Sequence, residues 1–151
     1  MKSSIICGVD GSIESRDALR VAAQLSKQLR SRLIVAHVTQ AAVFAPAYGS
    51  TPIVTSPQDK DLRAGQDLLE QVALDEGLAG ATLRSLYGLP AERLADLGDD
   101  EDAELIVVGS RGRGAFRAAF LGSVSRDLIG VARCPVLVVP PGVAAATSPL
   151  P

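Results

Sequence analysis

Tryptophan is absent from this chain of 151 residues, histidine occurs once, and the aromatics amount to two tyrosines and three phenylalanines. Valine, leucine, isoleucine and alanine must therefore fill any core. Cysteine is equally scarce: Cys7 and Cys134 form no CxxC pair and have no histidine cluster near them. That argues against a disulfide framework or a metal site and for two reduced thiols in apolar settings, Cys7 in a strand and Cys134 just before one. No apolar run approaches the roughly 20 residues of a membrane span, so no membrane partner is expected. Met1-Lys2-Ser3-Ser4 leads straight into a strand, without the basic start, apolar core and cleavage site of a secretory signal. A cytoplasmic protein is expected. The formal charge of −2 supplies no basic field for a phosphodiester backbone, which excludes nucleic acid as the expected partner.

What is present is apolar and rhythmic. Hydrophobic residues make up 47% of the chain, too many for a disordered one. This length suits one domain that buries roughly 70% of its unfolded surface. Short apolar runs alternate with helical patterns. Ile5–Asp10 reads as strand one. Helix one follows from about Ser12, its N-cap, to Arg30, with Ala18, Val21, Ala22, Leu25 and Leu29 as its inward stripe. Leu33–Val38 reads as strand two. Ser56-Pro57-Gln58-Asp59 resembles a capping box with proline at the first helical position, opening a helix that ends near Gly77 with Leu62, Leu69, Val72 and Ala73 facing the sheet. Ala81–Tyr87, Leu105–Gly109 and Val136–Val139 complete the strands, and Pro90 opens a short helix carrying Leu94 and Leu97. Helices between successive buried strands give a doubly wound α/β domain around an open parallel sheet. Three stretches interrupt the rhythm. Gln40–Thr55, with Pro46, Gly49 and Pro52, is long for a connection and reads as a lid, binding loop or mobile segment. Asp99-Asp100-Glu101-Asp102 reads as a solvated turn, because acid at a helix C-terminus is unfavourable. The domain is expected over 1–141, with 142–151 as a disordered, proline-rich tail.

The chemistry lies in one loop. Leu105-Ile106-Val107-Val108 empties into Gly109-Ser110-Arg111-Gly112, and nine residues later Gly122-Ser123 opens the helical pattern Val124–Val131. A strand passing through glycines to a helix N-terminus gathers bare N–H groups at its positive end, which suits a phosphate. Other phosphate motifs fail. A Walker A loop needs a Gly-Lys pair, and none occurs. Gly112-Arg113-Gly114 begins a GxGxxG fingerprint, but its third position is Arg117. Cys7-Gly8-Val9-Asp10-Gly11-Ser12 matches an SGGxDS-like loop only at Asp10 and Ser12.

The remaining spacing, G-x2-G-x9-G-[ST] at Gly109, Gly112, Gly122 and Ser123, resembles that of the ATP-binding branch of the universal stress protein family. The blocks Val9-Asp10-Gly11-Ser12, Ala36-His37-Val38, Leu121-Gly122-Ser123-Val124-Ser125 and Cys134-Pro135-Val136-Leu137-Val138-Val139 stand where that family has them. The resemblance implies a five-stranded parallel sheet in order 3-2-1-4-5 with helices on both faces, of the adenine nucleotide alpha hydrolase type. It implies ATP with Mg²⁺ as ligand and a homodimer joined through Val136–Val139; prolines 135, 140 and 141 as simple edge-blockers are the alternative. Carried over by position, Gly109 and Gly112 pass close to ribose and phosphate. Gly122, Ser123, Val124 and Ser125 offer N–H groups and two hydroxyls to phosphates, Asp10 meets the ribose or a metal-bound water, and the main chain of Val38 reads the adenine edge. The position agrees with the rule that open α/β sheets bind ligands outside strand C-termini where strand order reverses. Alternatively, Gly109 and Gly112 only shape a turn and Ser123 only caps a helix. Arg111, Arg113 and Arg117 are candidates for a charge-assisted phosphate contact, with a solvated basic loop as the alternative for each. Phe116, Phe120 and Leu121 read as loop packing and His37 as a hydrogen-bonded structural residue. No acid–base pair or nucleophile is evident, so slow ATP hydrolysis is the most the sequence allows. A stress-response module that senses nucleotide is the first reading. A nucleotide-free interaction protein of the same fold, and a nucleotide-dependent enzyme or flavoprotein-like subunit, are the alternatives.

Overall fold

Ile5 and Cys7 of β1 (Ser4–Gly8) point to one side of the sheet and Ile6 to the other, and all three are fully buried. The computed structural model describes residues 3–44, 48, 49, 51–111 and 121–143. The alternation seen in β1 recurs in β2 (Arg32–Gln40) and β6 (Ala103–Gly109), where Val35 and Val107 face the first side and Ile34, Ala36, Ile106 and Val108 the second. On the first side lie α1 (Ile13–Leu29) and α2 (Asp59–Asp75), contributing Ala18, Leu19, Ala22, Leu69 and Val72. On the second lie α3 (Pro90–Asp100) and α4 (Ser123–Val131), contributing Leu94, Leu97 and Leu128. Strands covered on both faces have no polar side to show, which is why they read as continuous apolar runs.

With β5 (Thr82–Gly88) and β7 (Val136–Val139), the sheet runs β5-β2-β1-β6-β7, every pairing parallel. Counting only these five strands along the chain, the order is 3-2-1-4-5, as expected. The expected loop over Gln40–Thr55 contains two further strands. β3 (Val43–Phe44) and β4 (Ile53–Val54) form a separate antiparallel ribbon. Its base is fixed: the Ala41 N–H donates to the Gly88 carbonyl at 2.9 Å, and the Thr55 N–H to the Ala42 carbonyl at 3.1 Å.

Three local expectations change. Leu29 leaves the inward stripe of α1 and is 55% exposed, because the helix ends there, with Arg30 in the left-handed region at φ 56°. The cap of α2 is Gln58, not Ser56, so Pro57 stands outside the helix; the Asp61 carboxylate accepts the Gln58 N–H at 3.1 Å. The acidic run is not a turn throughout, since α3 continues through Asp100. Cations offset the negative helix end: Arg133 lies 3.6 Å from Asp99, while Arg32 and Arg84 lie 3.0 and 3.4 Å from Glu101. Asp102 then turns the chain at φ 48°.

Ser12 caps α1 as expected, its hydroxyl accepting the Ser15 N–H at 3.2 Å. Past β7, the Gly142 N–H donates to the Asp17 carboxylate at 3.0 Å, and Val143 packs against the core beneath α1. Residues 144–151 of the expected tail lie outside the described residues. Both cysteines are free, and burial pushes the Cys7 thiol far above the ordinary thiol range. Partial burial, with a smaller contribution from Asp99, raises Cys134 as well. Thiols held protonated are poor nucleophiles and poor metal ligands.

Candidate functional site

β1 is joined through α1 to β2 on one flank and hydrogen-bonded to β6 on the other, so the order of strands reverses at β1. Just beyond the C-terminal ends of these strands lies a cleft of about 300 Å³. Asp10, Val38, Gly109, Arg111, Gly122, Ser123, Val124 and Ser125 all line it. Gly112, Arg113, Gly114, Phe116, Arg117 and Phe120 lie outside the described residues.

Each residue reaches the cleft for a local reason. Asp10 follows β1 on a turn through Gly11, whose φ of 83° a side chain would strain. The Asp10 carboxylate accepts the Ser12 N–H at 2.9 Å, and its own N–H donates to the Ser15 hydroxyl at 3.3 Å. The acid is therefore oriented by the same turn that caps α1.

Val38 presents main chain. The Ala36 carbonyl accepts the Val9 N–H at 2.8 Å, so Ala36 directs its peptide groups toward β1. Two residues on, Val38 directs its N–H and carbonyl the same way, past the point where β1 has ended. A donor and an acceptor thus stand side by side at the cleft edge. Pro90 and Leu94 of α3 line the cleft as well and add apolar wall.

At the other end, the loop after β6 is pinned to itself. The Ser110 N–H donates to the Val139 carbonyl at 2.9 Å, and the Gly122 N–H to the Ser110 carbonyl at 2.6 Å. Gly122 is the N-cap of α4 and has no side chain to cap it. The helix's own ladder provides no acceptor for the N–H groups of Ser123, Val124 and Ser125. This helix end, unlike that of α1, presents its positive pole to the cleft without a capping hydroxyl.

Two expected ligand groups have structural work of their own. A Cβ at Gly109 would lie 3.0 Å from the Glu14 carbonyl oxygen, so glycine there lets β6 end tightly against α1. The Ser125 hydroxyl is buried and bonded to the carbonyls of Gly122 and Ser110, at 3.0 and 3.3 Å, rather than turned into the cleft. Ser123 is exposed and keeps its hydroxyl at the rim. His37 has the structural bond expected of it: its Nδ1 N–H donates to the Val9 carbonyl at 2.8 Å. Sequence reading missed Pro90, Leu94 and Gln40 as lining residues. In the sequence Pro90 reads only as a helix start, and Leu94 only as a residue carried on that short helix.

Asp10 is the one carboxylate of the lining, and among the described residues no three His, Cys, Asp or Glu side chains gather as a metal would require. Arg111 makes no ion pair among the described residues and adds positive charge beside the α4 terminus.

The family model of the universal stress proteins matches residues 1–140. The chain belongs to the universal stress protein family. It is 31% identical over 139 residues to the universal stress protein in the QAH/OAS sulfhydrylase 3′ region of Thermus aquaticus, covering 92% of this chain and 99% of that one. To universal stress protein YxiE of Bacillus subtilis it is 30% identical over 148 residues, covering 92% and 99%. Among solved structures, a universal stress protein in complex with cAMP has the same fold, with TM-score 0.67 at 23% identity over 91% of this chain and 96% of that one. The universal stress protein from Archaeoglobus fulgidus in complex with dAMP gives TM-score 0.62 at 24% identity over 92% and 98%. A described helix long and apolar enough to cross a membrane is not found in this universal stress protein.

Proposed function

We propose that this universal stress protein binds ATP in the cleft at the strand C-termini and acts as a dimeric, cytoplasmic nucleotide-sensing module. One observation carries the reading: the open N-terminus of α4 and the outward main chain of Val38 flank the same cleft. A helix end without a capping side chain suits phosphates. A paired N–H and carbonyl on an apolar wall suit the edge of a purine. Asp10 sits between them, in reach of a ribose hydroxyl or of a cation's water. The solved relatives bound to cAMP and dAMP support an adenine nucleotide as the ligand class.

Mg²⁺ fits this donor set only as a companion of the triphosphate. One carboxylate is no cage for a divalent ion that demands six oxygens. Asp10 would hold a water of its shell, and the ion would neutralise phosphate charge. Hydrolysis of the bound nucleotide is slow at most. For the dimer, the support is β7, an edge strand whose outer side pairs with no other strand among the described residues.

A second reading, a nucleotide-free interaction protein, is favoured by the structural work of Gly109 and Ser125, which accounts for part of the motif without a ligand. Calorimetric titration of the protein with ATP·Mg²⁺, beside ADP and cAMP, separates the two. Saturable binding in the micromolar range is expected, strongest for ATP. Absence of binding for all three establishes the second reading.

A further inference from the structure

We propose that a second cleft, at the N-terminal ends of β2 and β5, binds a small phosphate ester. It encloses about 420 Å³ between the last turn of α1 and the connection from α2 to β5, at the end of the sheet opposite the nucleotide cleft. Sites for organic ligands run from about 300 to 1,000 Å³, so the space exceeds what a bare phosphate fills. Its ionisable lining is Lys27, Arg30 and Arg32, with no Asp or Glu. This is a basic cleft in a chain whose acids outnumber its bases by 17 to 15.

The surrounding acids do not cancel that charge. Arg32 is matched by Glu101 at 3.0 Å. Asp75 and Glu76, which end α2 beside the cleft, are held by Arg16 and Arg20 at 2.9 and 2.8 Å. Glu104 meets the lining only at the Ser31 hydroxyl. Lys27 and Arg30 make no ion pair among the described residues. The C-terminal poles of α1 and α2 together carry about one negative charge, less than these two cations supply. A positive excess is left over, and an anion balances it.

The remaining groups select phosphate and leave room for what it is attached to. In the connection from α2, the N–H groups of Gly77, Leu78 and Ala81 are taken by the carbonyls of Leu74, Ala73 and Leu78. Those of the neighbours Ala79 and Gly80 donate to no carbonyl among the described residues, and the Cβ position of Gly80 has nothing within 4 Å. Two successive free amides beside a guanidinium and an ammonium suit the several oxygens of a phosphate. Arg30 stands at φ 56°, a helix-ending position that glycine fills at least cost. The chain thus places a guanidinium there at the expense of an easier turn. Ala23, Leu33 and Leu78 give the cleft an apolar wall for the organic body.

Amide spectra of the ¹⁵N-labelled full chain, titrated with glucose 6-phosphate, inorganic phosphate and glucose, test the proposal. Glucose 6-phosphate is expected to shift the Ala79 and Gly80 amides saturably, at lower concentration than inorganic phosphate, and glucose not at all. Lys27→Gln with Arg30→Gln should weaken that binding about tenfold or more. Arg30→Gly should also weaken it while raising the melting temperature, a pairing that a merely structural arginine would not give. Gly122→Val should bind glucose 6-phosphate as wild type does, so failure of the nucleotide reading would leave this site untouched. Unmoved Ala79 and Gly80 amides, equal affinity in the double variant, or inorganic phosphate bound as tightly as the ester would overturn the proposal.

Discussion

The Gly122 N–H donates to the Ser110 carbonyl at 2.6 Å, closing the loop between β6 and α4 at its neck. The same bond sets the N-cap of α4 beside Ser110, just past the end of β6, so the helix terminus reaches the cleft in a fixed place. Gly122 itself has φ −69° and ψ 166°, a conformation any residue adopts. Gly122→Val should therefore fold normally and lose nucleotide, because the new side chain stands at the phosphate approach. Titration with ATP·Mg²⁺ should show binding weakened about tenfold or more, equivalent to about 1.4 kcal/mol. Equal affinity in both proteins would remove the glycine argument.

Asp10→Asn keeps an oxygen to accept the Ser12 N–H, so the turn before α1 should survive. What disappears is the negative charge. The gain in ATP affinity on adding Mg²⁺ should shrink in the variant, with its melting temperature close to that of wild type. Asp10→Ala should in addition lose about 1 kcal/mol of stability, read by urea unfolding, as the Ser12 N–H loses its acceptor. A variant with unchanged Mg²⁺ dependence would detach Asp10 from the ligand.

Gly109→Ala should destabilise the protein even without nucleotide. Its Cβ would press on the Glu14 carbonyl oxygen at 3.0 Å, a clash of the new methyl with main chain that should cost about 1–3 kcal/mol. Gly130 in α4 makes the internal control, since nothing lies within 4 Å of its Cβ position. Gly130→Ala should stabilise by about 0.5 kcal/mol. Denaturant midpoints read both, and the opposite signs are the test.

Alkaline pH should weaken the fold through Cys7. Burial holds this thiol protonated in the folded chain well beyond the ordinary thiol value. The unfolded chain loses the proton first as pH rises. Stability is thus fully present below the unfolded pKa and falls above it, by up to about 1.4 kcal/mol per pH unit for one thiol. Cys7→Ala should flatten that part of the stability profile between neutral pH and pH about 10. A profile identical to wild type would contradict the burial argument.

The sheet was legible in the sequence because burial on both faces writes itself as unbroken apolar runs. Ile5-Ile6-Cys7 and Ile106-Val107-Val108 have no other use. The cap at Ser12 was legible because it is local. The cap of α2 was not, because Thr55 is tied to Ala42 and Tyr87, which keeps the chain extended beyond Ser56. The ribbon was illegible for want of pattern: strands of two residues show no alternation. Charge pairing hid the end of α3, since Arg32, Arg84 and Arg133 are distant in sequence from the acids they balance. At the site, spacing marked the loop from Gly109 to Ser123, the family resemblance supplied Asp10 and Val38, and Pro90, Leu94 and Gln40 were missed. The division of labour within the motif was not legible, because the approach of Gly109 to Glu14 and the inward bond of the Ser125 hydroxyl depend on tertiary packing.

The bond from the Gly142 amide to the Asp17 carboxylate has a practical corollary. Backbone departing from β7 is drawn under the first helix before it goes anywhere else, away from the outer rim of the sheet. A fluorophore or affinity handle attached farther along would thus be launched from the α1 flank, and replacing Asp17 with alanine would release that mooring.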